Sequence, residues 1–154
     1  TVAHCLVTYP PGFVVHPKLK QILEKRVATL SEGEGIDWGF AEALAYGSLV
    51  LDGKRVRLSG QDSGRGTFSH RHLALNNYEK PEIYYPLSVL GKKSNGGNFE
   101  VFNSTLSEAG VMGFEYGYTL EAPDSLVLWE GQFGDFANGA QIHIDQFISS
   151  SEAK

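Results

Sequence analysis

Residues 55–72 read RVRLSGQDSGRGTFSHRH, in which a four-residue predicted strand is followed by a long polar turn rich in glycine. Two further strands are predicted at Phe99–Phe102 and Leu126–Trp129, and each is again followed by a polar turn. Helices are predicted from Ser107 to about Leu120 and from about Asp135 to Ser149. Strands that alternate with helices run parallel, with the helices as crossovers. The sequence therefore predicts an α/β fold with three layers, α/β/α, and a mainly parallel sheet.

The part of the chain before the first strand is predicted to be mostly helical. Val2–Tyr9 is apolar and β-branched, which favours an extended segment, and prolines and a glycine then interrupt it. Pro17 suits a first helical position, and glycines after residue 32 end that helix. Asp37 is a predicted N-cap for a second helix that runs to about Leu51. The stretch Asn76–Asn98, with its prolines and glycines, is predicted to be an irregular loop.

Length and composition indicate one domain over residues 1–154. Hydrophobic residues make up 42% of the chain and charged residues 20%, which is ordinary for a globular protein. The net charge of −5 provides no basic surface, so nucleic acid is not an expected partner. No apolar run approaches the ~20 residues of a membrane span, and one cysteine, Cys5, allows no internal disulfide. The first residue is not methionine, so a fragment of a longer protein is expected.

The three turns after the strands are the predicted site, because ligands of open parallel sheets bind beyond the carboxyl ends of the strands. If the strands are neighbours, these turns share one rim. They would then bring together an amide, a carboxylate, two histidines and two aromatic rings, namely Gln61, Glu108, His70, His72, Phe133 and Phe136.

Ordinary structural roles could explain each of these residues. Glu108 follows Ser107 at a helix start, where a carboxylate interacts favourably with the helix dipole, by ~0.3–1 kcal/mol. The two phenylalanines are spaced to pack on one helix face. Histidines in a polar glycine-rich loop are ordinarily solvated.

Other kinds of site receive less support from the sequence. Gly64 and Gly66 could form a phosphate nest, yet no P-loop pattern follows them. Glu108 and Glu130 could be a glycosidase-like pair, but nothing else supports that pairing. No Cys/His set has zinc spacing, so no metal site is expected within this chain.

Long motifs at the three turns resemble one enzyme family. They are RLSGQDSGRGTFSHRH (57–72), LSEAGVMGFEYGY (106–118) and LWEGQFGDFANGAQIHIDQFISSSEAK (128–154), and VTYPPGFVVHPKL (7–19) and IDWGFAEALAYGSLV (36–50) fit the same pattern. The chain is similar to the thiamine-diphosphate-dependent first component of 2-oxoglutarate dehydrogenase complexes. The resemblance covers nearly the whole chain and corresponds to the central, transketolase-like pyrimidine-binding domain.

The resemblance implies roles for the candidate residues. Glu108 would hydrogen-bond the aminopyrimidine ring nitrogen of thiamine diphosphate and so act in catalysis. Phe133 would stack on the pyrimidine, and Phe136 would line the same pocket. Gln61 and Leu106 would also belong to the cofactor pocket. His70 and His72 would be active-site loop residues.

The resemblance also implies that half of the site lies elsewhere. In the family, a Mg²⁺ ion held by a Gly-Asp-Gly motif and a later asparagine binds the diphosphate on a separate domain. Gly134-Asp135-Phe136 followed by Asn138 is not that motif. The implied partners are the diphosphate-binding domain, a second subunit in a homodimer, and a lipoyl-bearing succinyltransferase component. The implied substrate is 2-oxoglutarate, and the compartment is the bacterial cytoplasm or the mitochondrial matrix.

Three alternatives stay open at this point. A homologue of the same family could prefer 2-oxoadipate, and a related decarboxylase could act without lipoyl transfer. In a third, non-enzymatic interpretation, the chain is only a structural or dimerisation module. The chain on its own is expected to be inactive under every interpretation, because half of the site is missing.

Overall fold

A three-stranded parallel sheet lies at the centre of the structure, a computed structural model that describes residues 1–92 and 95–150. Strand β1 (Arg55–Gly60) lies between β4 (Asn98–Asn103) and β5 (Leu126–Glu130). Val56 pairs with Phe99 on one side and with Leu126 on the other, both in parallel register. The predicted parallel sheet is therefore confirmed, with each strand one or two residues longer than predicted.

Helices cover both faces of this sheet. Because side chains alternate along a strand, neighbouring residues of β1 face opposite layers. Val56 and Leu58 are buried in one core cluster with Phe40 of helix α3 (Trp38–Leu51). Arg57 points the other way and donates to Glu115 of helix α5 (Glu108–Glu121) at 2.7 Å and 3.0 Å. The predicted three-layer arrangement is confirmed.

Local capping signals set the helix boundaries near the site. The Asp37 carboxylate accepts from the Phe40 N–H at 2.8 Å, so α3 begins where the sequence predicts. Helix α2 (Pro17–Glu32) ends at Gly33, whose φ of 76° is readily adopted by glycine. Ser107 Oγ accepts from the Gly110 N–H at 3.2 Å and begins α5. These caps place the start of α5 at the carboxyl end of the sheet.

The prediction of an extended segment at Val2–Tyr9 is wrong. Val2–Cys5 forms the short helix α1, and its apolar side chains join the main core cluster. A Cβ on Gly47 would lie only 2.3 Å from Val2, so the glycine lets α1 approach α3 closely. Burial against α3 outweighs the β propensity of this apolar run.

The stretch after β5 is helical, but it is not the single α-helix predicted for residues 135–149. It comprises a 3₁₀ segment (Gly134–Ala140), the short helix α6 (Gln141–His143) and a π-helical turn (Ile144–Ile148). Glycines at 134 and 139 disfavour a regular α-helix, and the 3₁₀ form packs against the start of α5. Residues 151–154 of the predicted motif lie outside the described residues.

The stretch from Asn76 to Asn98 contains more regular structure than predicted. β2 (Leu75–Asn76) pairs antiparallel with β3 (Ile83–Tyr84), and helix α4 (Ser88–Gly91) follows. Residues 93–94 of this stretch lie outside the described residues. None of the helices in residues 1–92 and 95–150 has the length and apolarity that crossing a membrane requires.

Candidate active site

A narrow crevice opens at the carboxyl end of the sheet, where the three predicted turns meet. Gln61 follows β1, Leu106 and Glu108 follow β4, and residues 129–132 belong to the end of β5 and its turn; all of them line the crevice. Its volume is about 10 Å³. The structure therefore brings together three of the predicted site residues from two of the turns, and residues of the third turn line the same crevice.

Glu108 occupies the first turn of α5 and is half-buried in the crevice wall. Ser107, not Glu108, makes the capping hydrogen bond, so the carboxylate of Glu108 is not needed as the cap. A Cβ built on Gly139 would lie 3.2 Å from both Cβ and Oε2 of Glu108. The 3₁₀ segment thus presses its glycine backbone onto this side chain and restricts how it can move.

Exposed aromatic rings connect the turn after β5 to the turn after β1. Phe133 and Phe136 meet edge to face at 5.5 Å and are 44% and 42% exposed. Core filling is therefore not their role within this chain. Phe133 also contacts Phe68 edge to face at 6.0 Å, and Phe68 lies 6.5 Å from the ring of His70. These four rings form a continuous aromatic series along the rim.

The loop after β1 holds an unusual backbone conformation. Asp62, Ser69 and His72 have φ values of 59°, 52° and 57°, in the left-handed region that non-glycine residues rarely adopt. Hydrogen bonds within the loop hold it, among them Gly66 N–H to the Asp62 carbonyl at 2.8 Å. Each such residue costs roughly 1–3 kcal/mol, and strain of this kind clusters at functional sites.

His70 and His72 occupy different surroundings within this loop. A Cβ on Gly66 would lie 2.5 Å from the His70 ring, so any larger residue at position 66 would force that ring to move. His70 Nδ1 is buried and has no hydrogen-bond partner among the described residues. The resemblance does not separate the two histidines, but the structure does, because only His70 joins the aromatic series.

A buried arginine anchors the loop to the rest of the domain. Arg71, 4% exposed, donates to the Glu42 carboxylate at 2.9 Å and 3.1 Å and to the Glu130 carboxylate at 2.5 Å and 3.2 Å. It also donates to the Ser63 carbonyl at 2.9 Å. Burial lowers the pKa of Arg71, but its hydrogen bonds to the two carboxylates raise it more, so the net shift is upward. We call Arg71, Glu42 and Glu130 the arginine clamp.

The family of the chain follows from comparison with known proteins. Residues 34–154 match the family model described as "Transketolase, pyrimidine binding domain".

The chain belongs to the transketolase pyrimidine-binding domain family.

Relatives of this pyrimidine-binding domain are named 2-oxoglutarate dehydrogenase. The mitochondrial protein of Saccharomyces cerevisiae is 56% identical over 149 residues, which cover 97% of this chain and 14% of the relative. The E1 component of Rickettsia conorii is also 56% identical over 149 residues, covering 97% of this chain and 16% of the relative. The mitochondrial protein of Dictyostelium discoideum is 54% identical over 157 residues, covering 99% and 15%. The predicted resemblance is confirmed, and this domain spans about one seventh of such relatives.

Sequence reasoning missed several residues that shape the site of this pyrimidine-binding domain. Phe68 and Arg71 both lie within the motif RLSGQDSGRGTFSHRH (57–72), but the sequence did not predict either of them as a site residue. An exposed aromatic residue in a polar, glycine-rich loop was a usable signal for Phe68. Arg71 gave no local signal, because its partners Glu42 and Glu130 lie 29 and 59 residues away. The same pairing ties the Glu130 carboxylate to an arginine, which weakens the idea of a glycosidase pair with Glu108.

His72 of the pyrimidine-binding domain is expected to be neutral at physiological pH. Burial lowers its pKa below the ordinary value of 6.5. A hydrogen bond from the His72 ring to the Ser69 backbone opposes the shift, and the charges of Arg26, Arg65 and His70 lower the pKa further. The unfolded chain then binds this proton at higher pH than the folded chain, so the contribution of His72 to stability falls as the pH drops below about 6.5.

Histidine ring NMR signals followed against pH are the measurement for this prediction, with the His72 signal assigned from a His72→Gln variant. We expect a midpoint below 6.5. A midpoint at or above that value contradicts the prediction.

Proposed function

We propose that residues 1–154 form one domain that supplies the pyrimidine half of a thiamine diphosphate site in the first component of a 2-oxoglutarate dehydrogenase complex. The observation that carries the proposal is the crevice, which joins Glu108 to Gln61 and Leu106 beside an exposed aromatic series. The relatives are named 2-oxoglutarate dehydrogenase. From the family resemblance we propose the reaction of the intact enzyme: decarboxylation of 2-oxoglutarate, followed by succinyl transfer to a lipoyl group.

The side chains that line the crevice suit the polar edge of an aminopyrimidine. The crevice of about 10 Å³ has room for about one water molecule, so the ring itself would lie outside it. A half-buried carboxyl group can exchange a proton with a ring nitrogen, and Gln61 adds an amide that can both donate and accept. Phe133 and Phe136 present apolar ring surface of the kind on which a flat heteroaromatic ring packs. When bound, thiamine diphosphate supplies the electron sink for decarboxylation of a 2-oxo acid.

Glu108 is the proposed acid–base residue. Its position in the first turn of α5 fixes the backbone, and Gly139 restricts the side chain from the other side. A carboxyl group held in this way can keep a hydrogen bond to one ring nitrogen and move one proton across it, which is the requirement for general acid–base catalysis.

We propose that the two histidines form hydrogen bonds in the part of the site where the substrate reacts. His70 Nδ1 is buried and lacks a hydrogen-bond partner among the described residues, so a small shift of the ring would be needed before it could hydrogen-bond a ligand. Its ring joins the aromatic series that begins at Phe136, so it lies on the same rim as the cofactor-binding residues. Burial lowers the pKa of His72, so we propose that it is neutral and donates or accepts a hydrogen bond without carrying charge.

The remainder of the site is proposed to lie on other parts of the intact protein. Among the described residues, no group of three or more His, Cys, Asp and Glu side chains is arranged to hold a metal ion. We propose that Mg²⁺ and the diphosphate are held by a separate domain, within a homodimer that works with a lipoyl-bearing succinyltransferase component. The relatives are mitochondrial and bacterial proteins, which supports the mitochondrial matrix or the bacterial cytoplasm as the compartment.

Turnover by the intact enzyme tests this function. With thiamine diphosphate and Mg²⁺, we expect CO₂ release from 2-oxoglutarate, and succinyl transfer when a lipoyl domain is added. A higher kcat/KM for 2-oxoadipate than for 2-oxoglutarate would identify 2-oxoadipate as the preferred substrate. Aldehyde release that is unchanged by the lipoyl domain would indicate the non-lipoyl decarboxylase. Absence of turnover with either acid would contradict the proposal and favour a structural module.

A further inference from the structure

The arginine clamp connects the histidine loop to the wall of the crevice. We infer that Arg71 is a positioning residue for Glu108, an inference that rests on the proposed function. Arg71 touches neither Glu108 nor the space in front of it, but it holds Glu130, and Glu130 lines the same crevice as Glu108. The role is therefore to fix the wall against which Glu108 and the pyrimidine would pack.

The guanidinium group of Arg71 uses its whole donor capacity in this clamp. An arginine has five N–H donors in a planar fork, and five hydrogen bonds leave this one: two to Glu42, two to Glu130 and one to the Ser63 carbonyl. Such complete use of the fork fixes both the direction and the distance of each carboxylate. A lysine, with three donors on a single nitrogen, cannot reproduce this geometry.

The clamp joins three elements that meet at the site. Glu42 belongs to α3, Ser63 and Arg71 belong to the loop after β1, and Glu130 is the last residue of β5. The backbone there is tightly packed, because a Cβ on Gly60 would lie 2.2 Å from the Glu130 carbonyl. A shift of Glu130 would therefore move its neighbours Trp129, Gly131 and Gln132, which line the same crevice as Glu108.

The clamp also determines the charge beside Glu108. Two carboxylates, Glu108 and Glu130, line the crevice. Arg71 is shared between Glu42 and Glu130, so its one positive charge offsets only part of the negative charge on Glu130. Without the arginine, the full negative charge of Glu130 would line the same crevice as the Glu108 carboxylate.

Replacement of Arg71 by Lys in the intact enzyme is the primary test. The charge is retained and the fork is lost. With saturating thiamine diphosphate and Mg²⁺, we expect hydrogen–deuterium exchange at the thiazolium carbon to slow by about 10²-fold, which is the typical cost of misplacing a reacting group by ~1 Å. Arg65→Lys is the control, because Arg65 is an exposed arginine of the same loop, and its exchange rate should equal that of the wild type.

A pair of glutamate variants distinguishes an effect on positioning from a loss of stability. The same pair tests the inference if Arg71→Lys does not fold. Glu42→Gln and Glu130→Gln each remove one charge from the clamp, at side chains of similar exposure, 26% and 23%. We expect comparable losses of melting temperature but a larger loss of thiazolium exchange for Glu130→Gln. Equal exchange rates in the two variants would overturn the inference.

Amide hydrogen exchange without cofactor gives a readout that does not depend on activity. Peptides covering residues 128–140 should exchange faster in Arg71→Lys and Glu130→Gln than in the wild type or Arg65→Lys. Unchanged protection in both clamp variants would overturn the inference.

A double-variant cycle with Glu108→Gln completes the test. If Arg71 acts through Glu108, Arg71→Lys should slow thiazolium exchange in the wild-type background and cause little further loss in the Glu108→Gln background. Equal losses in both backgrounds would overturn the inference. Wild-type exchange in Arg71→Lys with slow exchange in Glu108→Gln overturns this inference alone. Wild-type exchange in Glu108→Gln also overturns the acid–base role proposed for Glu108, and absence of turnover in the wild type overturns the proposed function.

Discussion

Replacing Glu108 by Gln in the intact enzyme is expected to slow hydrogen–deuterium exchange at the thiazolium carbon of bound thiamine diphosphate by about 10²–10⁴-fold. Glutamine keeps the size and the hydrogen-bonding capacity of the side chain, but it cannot exchange a proton with the pyrimidine nitrogen. It fits the same space against Gly139, so cofactor affinity should change little. Exchange measured by NMR in deuterated buffer reports this step without contribution from later ones.

The matched control for this prediction lies on the same helix. Glu121 is exposed at the other end of α5, and Glu121→Gln should leave the exchange rate at the wild-type value. If Glu108 only favours the helix dipole, its replacement should cost ~0.3–1 kcal/mol of stability and leave exchange unchanged. That outcome would remove Glu108 from the mechanism.

Replacing Gly39 by Ala is expected to cause a large loss of stability and to displace the histidine loop. The added Cβ would lie 1.8 Å from the His70 carbonyl oxygen and 2.8 Å from its carbon, which are backbone atoms that cannot rotate away. Arg26 donates to the same carbonyl, so the backbone is held in place from a second direction. Overpacking of this kind costs typically ~1–3 kcal/mol, and more where backbone must move. Thermal unfolding measures the loss.

Gly117→Ala is a comparison variant that is expected to raise the melting temperature, whereas Gly39→Ala should lower it. Gly117 lies inside α5, and a Cβ there would meet no atom within 4 Å. Alanine in a helix interior is more favourable than glycine by roughly 0.5–1 kcal/mol, so this variant should melt at a higher temperature. Destabilisation by Gly117→Ala, or tolerance of Gly39→Ala, would contradict the packing described for these helices.

Much of the fold could be predicted because its signals are local. The caps at Asp37 and Ser107 and the polar turn after each strand depend on a few consecutive residues. The parallel sheet followed from the alternation of elements, and its carboxyl end then indicated where Gln61 and Glu108 should meet. The roles of these residues came from the family resemblance, since their types alone did not identify a ligand.

The features that sequence reasoning missed depend on distant partners. α1 is helical because its side chains bury against α3, which no property of residues 2–5 predicts. The 3₁₀ segment adopts its form where Gly139 packs on Glu108, some thirty residues earlier in the chain. The clamp requires Arg71 to meet Glu130 across 59 residues, and the sequence contains many other carboxylates that could have been its partner.

The order of strands in the sheet also affects how the chain is synthesised and folds. β1 is the central strand of the sheet, yet the ribosome synthesises it before its two partner strands. These partners begin at Asn98 and Leu126. At translation rates of ~5–20 residues per second, about 70 residues between Val56 and Leu126 take roughly 4–14 s. During that interval β1 is a nascent edge with unpaired backbone groups, exposed to non-native pairing. The risk of non-native pairing of β1 is therefore greatest before residue 130 leaves the ribosome.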